Sequence, residues 1–244
     1  MPVMKVGPGR ALVGGGGTYN DLVMGTQPIA YWPQSETAGV TAHCLVNPLQ
    51  DGTYSNVTLA NDLTGPFGTP APWYNGATSY CNIYSAALAA AFDGAEGSLM
   101  IWAKVNAVGV WTDAANRFAV ILRADGNNRV FMQKVNINNR FRWTRIGGGV
   151  VEQRENIAIA DIAWMCMMLT WSEAADQVRA FYNGAQEGAT MTILGAFAGA
   201  LVNNLTNIGS ETNAPANPWH GWLGPCGVWT RALPPAEVAS LYVG

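Results

Sequence analysis

The sequence predicts an all-β protein, a jelly-roll sandwich of two antiparallel sheets with a short C-terminal helix and an extended N-terminal arm. First, short apolar runs rich in β-branched and aromatic residues recur from residue 98 onward, separated by turn-forming residues. Second, the chain closes with an apolar strand pattern, a Pro-Pro pair and one stripe at helical spacing. Third, the first 25 residues are broken by glycines and prolines, which prevents any regular element that could bury a core.

The C-terminal segment is the clearest local signal. Residues 221–230 alternate glycines with large apolar groups, a pattern typical of a strand that another backbone approaches closely. Pro234-Pro235 stops the strand and suits a first helical turn, where the missing N–H has no partner to lose. Val238, Leu241 and Tyr242 then follow at i, i+3 and i+4, which predicts one short helix lying on a sheet.

The remaining elements follow from alternation and turn chemistry. Asn183-Gly184 between two apolar runs predicts a type I′ hairpin, because both residues tolerate positive φ. One helical turn is expected at 86–92. The predicted strands are 28–33, 78–83, 98–105, 118–124, 130–135, 141–146, 162–172, 177–182, 188–192, 207–210 and 221–230.

Composition excludes several classes of protein. Charged residues make up 12% and apolar residues 49%, which is the opposite of a disordered chain. A net charge of −3 gives no electrostatic basis for binding nucleic acid. The longest apolar runs fall short of the ~20 residues that span a bilayer, so we expect no membrane insertion. The N-terminus lacks the apolar core of a secretion signal, so we expect synthesis in the cytoplasm without export.

The cysteines give no metal or redox motif. Cys44, Cys81, Cys166 and Cys226 are far apart, and no C-x-x-C pair occurs. Cys166 lies in an apolar run and is expected to be a buried thiol. The sequence leaves a Cys44–Cys81 disulfide open.

We divide the chain into an extended arm, 1–27, and a sandwich, 28–244. The arm is apolar and rich in glycine, and it is interpreted as a segment that reaches a neighbouring subunit. Its proposed contact residues are Val3, Val6, Leu12, Val13 and Tyr19.

Several motifs, in this order and spacing, resemble the laminin-G-like domain of the concanavalin A-like lectin/glucanase superfamily over residues 28–244. They are Ala30-Tyr31-Trp32-Pro33, the segments 73–80, 97–102, 164–171 and 180–184, and the terminal strand and helix. The resemblance implies two stacked sheets but no single function, since members include lectins, glycoside hydrolases, adhesion modules and accessory domains of viral particles. The arm and the low charge are most similar to stand-alone versions in structural proteins of tailed phages.

Catalytic patterns are missing from the sequence. The glucanase members of the superfamily carry a Glu-x-Asp-x-Glu strand, and no such triplet occurs. Glu152 and Glu155 are three apart and would point to opposite faces of a strand. The two histidines, His43 and His220, lie in no nucleophile motif. We therefore expect no enzymatic activity.

No cofactor is expected, with calcium as the weaker alternative. The weak candidate ligands are Asp113, Asp125 and Asn127, beside Asn128. They do not form an Asp-x-Asp-x-Asp-Gly loop, and turn formation accounts for the Asp125–Asn128 stretch without a metal.

Contacts with a sugar or a protein partner are expected at tryptophans that have polar sequence neighbours. These are Trp111, Trp143 and Trp219, together with Arg145 and His220. By the same reasoning Trp102, Trp164 and Trp171 are assigned to the core.

The leading hypothesis is a non-catalytic structural or attachment module of a virion, either a capsid decoration or a tail protein. It would dock through its arm and apolar surface onto other protein subunits in a symmetric assembly. The alternative is a carbohydrate-binding, lectin-like module with a glycan partner. A glycoside hydrolase is the second alternative, disfavoured by the missing carboxylates.

Overall fold

The computed structural model describes residues 18–137, 139–156 and 158–243, which form two stacked antiparallel sheets of eight strands each. The helices are α1 (Tyr19–Gly25), α2 (Ala86–Ala91), α3 (Gly109–Thr112) and α4 (Pro235–Val243). The strands are β1 (Ala30–Trp32), β2 (Thr41–Ala42), β3 (Gly52–Ser55), β4 (Thr58–Asp62), β5 (Ala71–Asn75), β6 (Tyr80–Asn82), β7 (Glu96–Val105), β8 (Arg117–Arg123), β9 (Arg129–Lys134), β10 (Phe141–Gly147), β11 (Val150–Asn156), β12 (Met165–Ser172), β13 (Gln177–Tyr182), β14 (Ala185–Gln186), β15 (Asn207–Ile208) and β16 (His220–Trp229).

The first sheet, sheet A, has the order β14-β13-β12-β7-β16-β5-β4, and β1 also pairs with β16. The second, sheet B, has the order β11-β10-β9-β8-β15-β6-β3-β2. Strand neighbours that are distant in sequence are typical of a jelly roll, so the predicted fold class is confirmed.

The main core lies between the sheets and follows from the two-residue period of the strands. In β7, Leu99, Ile101 and Ala103 point inward and are fully buried. Met100 and Trp102 point to the opposite, outer face of sheet A, where they are also buried. Both faces of this part of sheet A are therefore covered.

Helices α1 and α4 supply the outer cover. Val23 of α1 and Val238 and Leu241 of α4 are fully buried on this face. The Tyr19 hydroxyl donates a hydrogen bond to the Leu241 carbonyl at 2.9 Å and accepts one from Trp102 Nε1 at 2.8 Å. Tyr19 thus fastens both helices to the sheet.

This packing corrects the predicted boundary of the extended arm. Residues Tyr19–Gly25 form a helix, and Tyr19 is buried against the sandwich, so it cannot be an arm residue that reaches a neighbour. The Thr18 hydroxyl and the Asp21 carboxylate form a capping box that starts this helix. The other predicted arm contacts, Val3, Val6, Leu12 and Val13, lie outside the described residues.

The terminal strand and helix, the helical turn at 86–91 and the Asn183-Gly184 hairpin are confirmed. Asn183 and Gly184 both have positive φ, 50° and 78°, as a type I′ turn requires. The predicted strand at 188–192 is wrong, since only Met191 makes an isolated bridge there. Strand β11 was not predicted. The four cysteines are free, buried thiols, so Cys44 and Cys81 are not bridged.

Candidate functional site

The outer face of sheet A carries a row of half-buried aromatic and charged side chains beyond the helical cover. We call it the aromatic row, and it consists of Trp73, Lys104, Trp164, His220 and Trp222. The half-exposed indoles of the row differ from most large aromatic side chains of this protein, which are buried in the core.

Strand register brings the row together. Trp222 of β16 lies directly opposite Trp73 of β5 on one side and Lys104 of β7 on the other. His220 is two residues before Trp222 and shares its face. Gly221 between them has a φ of +146°, and a Cβ there would lie 2.1 Å from the Lys104 carbonyl oxygen, so only glycine lets the strands approach.

The rings are in contact along the row. The Trp73 and Trp222 ring centroids are 4.7 Å apart at 62°, and those of Trp73 and His220 are 5.5 Å apart at 68°. The Lys104 ammonium lies 4.7 Å from the centre of the Trp222 ring and 5.9 Å from that of Trp164. The side chains fix one another's orientation through edge-to-face and cation–π contacts.

Polar groups flank the row. Asp62 pairs with Lys104 at 3.0 Å, and Asn61 Oδ1 accepts a hydrogen bond from Trp222 Nε1 at 3.0 Å. Burial favours a raised pKa for Asp62, but hydrogen bonds from Lys104 and Thr64 outweigh it, so the pKa of Asp62 is lowered. The carboxylate is therefore ionised at neutral pH.

His220 is neutral at neutral pH. Burial and the nearby Arg117 guanidinium lower its pKa, and Asp113 opposes them only in part. Its Nε2 lies 3.4 Å from the Asn106 amide nitrogen. At this end the row offers an uncharged imidazole beside an amide.

Chemically, such a surface can stack the C–H faces of sugar rings while amide and carboxylate groups bind hydroxyls. The Asp62 carboxylate that flanks the row is already paired with the Lys104 ammonium group. Cleavage of a glycosidic bond by the usual route needs two opposed carboxyl groups.

Of the five predicted contact residues, only His220 belongs to the row. Trp111, Trp143 and Trp219 are fully buried, so their assignment as exposed platforms is wrong. For Trp143 the polar sequence neighbours misled the prediction because consecutive strand residues face opposite sides, whereas Trp111 lies in α3 and Trp219 directly before β16. Trp143 faces the core while Arg142 and Thr144, on either side of it, face outward.

Arg145 is also a structural residue. Its guanidinium is fully buried, donates to the Gly195 carbonyl at 3.0 Å, and pairs with Glu173 and, at 3.5 Å, with Glu152. Burial raises the pKa of Glu152, and the Arg145 charge lowers it only in part. This network ties the loop around Gly195 to sheet B.

The weak metal candidates have protein partners. Asp113 pairs with Arg117 and Lys134, and Asp125 Oδ1 accepts from the Asn127 backbone N–H at 2.7 Å. Within residues 18–137, 139–156 and 158–243, no three His, Cys, Asp or Glu side chains come together as metal ligands.

Trp222, Trp73 and Trp164 were missed as site residues. Trp164 was assigned to the core, and it is half-buried in the row. The sequence held one usable signal, the His220-x-Trp222 alternation, which places both side chains on one face. The pairing of Trp222 with Trp73, some 150 residues earlier in the printed sequence, is set by strand order and has no local signature.

The sequence matches the family described as the Concanavalin A-like lectin/glucanases superfamily over residues 75–239, more than half of the chain. The chain therefore belongs to the concanavalin A-like lectin/glucanase superfamily. No curated protein sequence matches it.

Three solved structures share the fold. Domain 4 of a family 43 extracellular arabinanase from Geobacillus stearothermophilus, solved with arabinotriose, has a TM-score of 0.61 at 16% identity, with 88% of this chain and 98% of that domain covered. The receptor-binding domain of botulinum neurotoxin mosaic serotype C/D has a TM-score of 0.65 at 11% identity, and the match covers 89% of this chain and 50% of that chain. Trypanosoma rangeli sialidase with sialic acid has a TM-score of 0.61 at 12% identity, and the match covers 87% of this chain and 32% of that chain.

These structures are a domain of an arabinanase, a receptor-binding domain of a toxin and a region of a sialidase, and their low identity shows the shared fold alone. The chain spans nearly all of the arabinanase domain but only half of the toxin domain and a third of the sialidase. In the described part of this chain, every helix is too short or too polar to cross a membrane.

Proposed function

We propose that this protein is a non-catalytic binding module that holds a neutral oligosaccharide on the aromatic row. The observation that carries the proposal is the edge-to-face pair of half-exposed indoles, Trp73 and Trp222, with Asn61 and Asp62 beside them. One ring supplies a stacking surface, and the adjacent amide and carboxylate oxygens accept hydrogen bonds from hydroxyls. No cofactor enters this proposal.

Neutral sugars fit the row better than acidic ones. The Lys104 ammonium is the cation of the row, and Asp62 neutralises it at 3.0 Å. A carboxylate on the ligand would therefore meet a paired charge and an anion beside it. The arabinanase domain solved with arabinotriose makes short pentose and hexose chains the first ligands to test.

The test is a titration of intrinsic tryptophan fluorescence with arabinotriose, xylotriose, cellotriose and maltotriose. We expect saturable quenching by at least one of them. Trp222→Ala and Trp73→Ala should weaken that ligand about tenfold or more, since a lost stacking contact of ~1.4 kcal/mol is a factor of ten. Trp222→Phe should retain most of the affinity.

Tyr80→Ala is the matched control, because Tyr80 is a half-buried aromatic residue on sheet B. Its affinity should equal that of the unchanged protein. If none of the four sugars binds at millimolar concentration, or if the two alanine variants bind as well as the control, the row is not a sugar site. Reducing-sugar release from the ligand that binds would remove the non-catalytic part of the proposal.

A second candidate function is attachment to a protein assembly, the virion role expected from the sequence. It is supported by exposed apolar side chains at the free edge of sheet B. Val150 and Val151 of the edge strand β11 are 42% and 55% exposed, and Ile193 in the neighbouring loop is 78% exposed. A free edge with apolar side chains can pair with another chain.

Light scattering tests this second function. The unchanged protein should form an oligomer, and Val151→Lys with Ile193→Asp should return it to monomers. A protein that is monomeric at all concentrations would contradict attachment through this edge. Antibodies against the protein should label purified virus particles if the virion role is correct.

A further inference from the structure

Asn61 carries an exposed amide that reaches the aromatic row from the edge strand β4. Its Oδ1 accepts a hydrogen bond from Trp222 Nε1 at 3.0 Å, although β5 lies between β4 and β16 in sheet A. Asp62, the next residue, pairs with Lys104 of β7 at 3.0 Å, one strand further on. The end of β4 therefore folds over the outer face of the sheet and forms one wall of the row.

An irregularity in β4 places this wall. Thr58 pairs with Trp73 and Asp62 with Ala71, so four residue steps of β4 span two steps of β5. The two extra residues form a bulge, and Ala60 within it has a φ of 50°. A bulge re-aims the side chains that follow it, and a positive φ is unfavourable for a residue with a Cβ. Such departures from regular geometry are expected where they position a functional side chain.

The Trp222 ring fixes the direction in which the Asn61 amide faces. An indole N–H can only donate, so the carbonyl oxygen of the amide must face Trp222. The amide nitrogen lies on the other side of the group, and it makes no hydrogen bond with a described residue. Of the described indole N–H groups, only that of Trp222 is bonded to a side-chain amide. The wall therefore presents two N–H donors in a fixed direction.

The surroundings favour an uncharged acceptor for these donors. The Asp62 carboxylate is next to Asn61 in the chain and would repel a carboxylate or a phosphate on the ligand. Asp62 also neutralises Lys104, so the ion pair carries no net charge. Leu63, which follows Asp62, is 69% exposed, so an apolar group of the ligand can lie on it. A carbonyl oxygen joined to a methyl group matches both features.

We infer that the aromatic row selects a saccharide that carries an acetyl group. This preference rests on the proposed function, because the sugar ring itself would stack on the indoles of the row. The Asn61 amide nitrogen would donate to the acetyl carbonyl oxygen, and the methyl group would lie towards Leu63. Sugars carry acetyl groups as acetamides of amino sugars and as esters of hydroxyl groups. Both forms present the same uncharged carbonyl and methyl.

Calorimetric titration with two matched pairs of sugars distinguishes these sources. Triacetylchitotriose and cellotriose share one linkage and differ in the acetamide, whereas mono-O-acetylated xylotriose and xylotriose differ in the ester. We expect the acetylated member of at least one pair to bind about tenfold more tightly than its plain partner, through one hydrogen bond and one buried methyl group. A preference in the first pair alone would identify amino sugars, and a preference in the second alone would identify acetyl esters.

Asn61→Asp keeps an oxygen for the Trp222 N–H but removes the donors that would meet the acetyl carbonyl. The acetylated sugar should then bind about as weakly as its plain partner, whose affinity should change less because its hydroxyls can donate to the new carboxylate. Asn204→Asp is the matched control, since Asn204 is exposed shortly before β15 of sheet B and gains the same charge. It should keep the full preference. If Asn61→Asp does not fold, Asn61→Ala also lacks the donors and decides.

Equal affinity for both members of both pairs would overturn the inference and leave the proposed function standing. An undiminished preference in Asn61→Asp would also overturn it, because the amide donors would then play no part. Trp222→Ala should weaken both members of the preferred pair, and tight acetyl-dependent binding in this variant would place the acetyl group away from the row, with the same consequence. If no member of either pair binds, the proposed function fails together with the inference.

Discussion

The Lys104 ammonium is held between the Asp62 carboxylate, at 3.0 Å, and the Trp222 ring, at 4.7 Å from its centre. Lys104→Met removes both contacts and leaves Asp62 without its cation. We expect the free energy of unfolding to fall by about 1 kcal/mol, since the pair is only half-buried and partly screened. Denaturation by urea measures it. The double variant with Asp62→Asn should recover part of the loss, and purely additive effects would show that the two groups are not coupled.

The Tyr19 hydroxyl joins α1, α4 and sheet A through its bonds to Leu241 and Trp102. Tyr19→Phe keeps the ring but leaves the buried Trp102 N–H without this partner. The free energy of unfolding should fall by about 1–3 kcal/mol. Tyr80→Phe is the control and should change it little. Equal stability of the two variants would mean that water replaces the lost hydroxyl.

Two truncated chains distinguish the contribution of α1 to stability from that of the residues before it. A chain lacking residues 1–25 loses α1 and uncovers Met100 and Trp102, so it should unfold at a much lower temperature than a chain lacking residues 1–17. Thermal unfolding followed by circular dichroism gives both midpoints. If the two midpoints coincide, α1 does not stabilise the sandwich.

Asp113 neutralises Lys134, whose side chain is fully buried. The Lys134 Nζ lies 2.6 Å from Asp113 Oδ1 and 2.9 Å from the Ala115 carbonyl oxygen. Asp113→Asn leaves an uncompensated buried charge and should cost about 3–5 kcal/mol of stability. Adding Lys134→Met to the Asp113→Asn chain should restore much of the lost stability. If Asp113→Asn alone leaves the stability unchanged, the Lys134 ammonium loses its proton instead.

The Asp113 carboxylate also makes the stability of the fold depend on pH. Burial favours a raised pKa for Asp113, but the bonds from Arg117 and Lys134 outweigh it and lower the pKa. The ionised form therefore stabilises the fold above about pH 4, the unfolded pKa, and this contribution is lost as pH falls through the lower folded pKa. The unchanged protein should lose stability over that range, and Asp113→Asn should lack this part of the loss.

The four thiols should be unreactive while the protein is folded. All of them are buried, and burial raises the pKa of Cys81, Cys166 and Cys226. Only the thiolate reacts rapidly with a disulfide reagent. Ellman's reagent should therefore label none in native buffer and four in guanidinium chloride. Rapid labelling of one thiol without denaturant would contradict its buried position.

The sequence predicts the fold well where the signal is local. The terminal strand and helix, and the Asn183-Gly184 turn, depend on residues within a few positions of one another. Strand β11 escaped prediction because it is an edge strand whose segment mixes two valines with Glu152, Gln153 and Arg154, and pairing with β10 stabilises it. Helix α1 follows the glycine-rich stretch, and its one signal is the Thr18-x-x-Asp21 cap.

The candidate site was much harder to predict. Four residues of the aromatic row come from β5, β7 and β16, and Trp164 directly precedes β12; these strands meet only through the strand order of sheet A. The face of each tryptophan follows from alternation within its strand, but which face remains uncovered depends on where α1 and α4 lie. Trp102 and Trp222 share the outer face of sheet A, and the helices cover only Trp102. Sequence neighbours carry no information about that difference.

The hydrogen bond from Tyr19 to the Leu241 carbonyl brings the start of the first helix to the end of the last. A short glycine-serine bridge could join residues 243 and 18 into a ring, and the ring could be cut open in the exposed turn at 125–127. A circularly permuted chain of this kind should fold to the same two-sheet sandwich, with its new ends in the turn between β8 and β9. The sandwich could therefore carry a fused reporter at the turn between β8 and β9 while residues 18 and 243 stay joined.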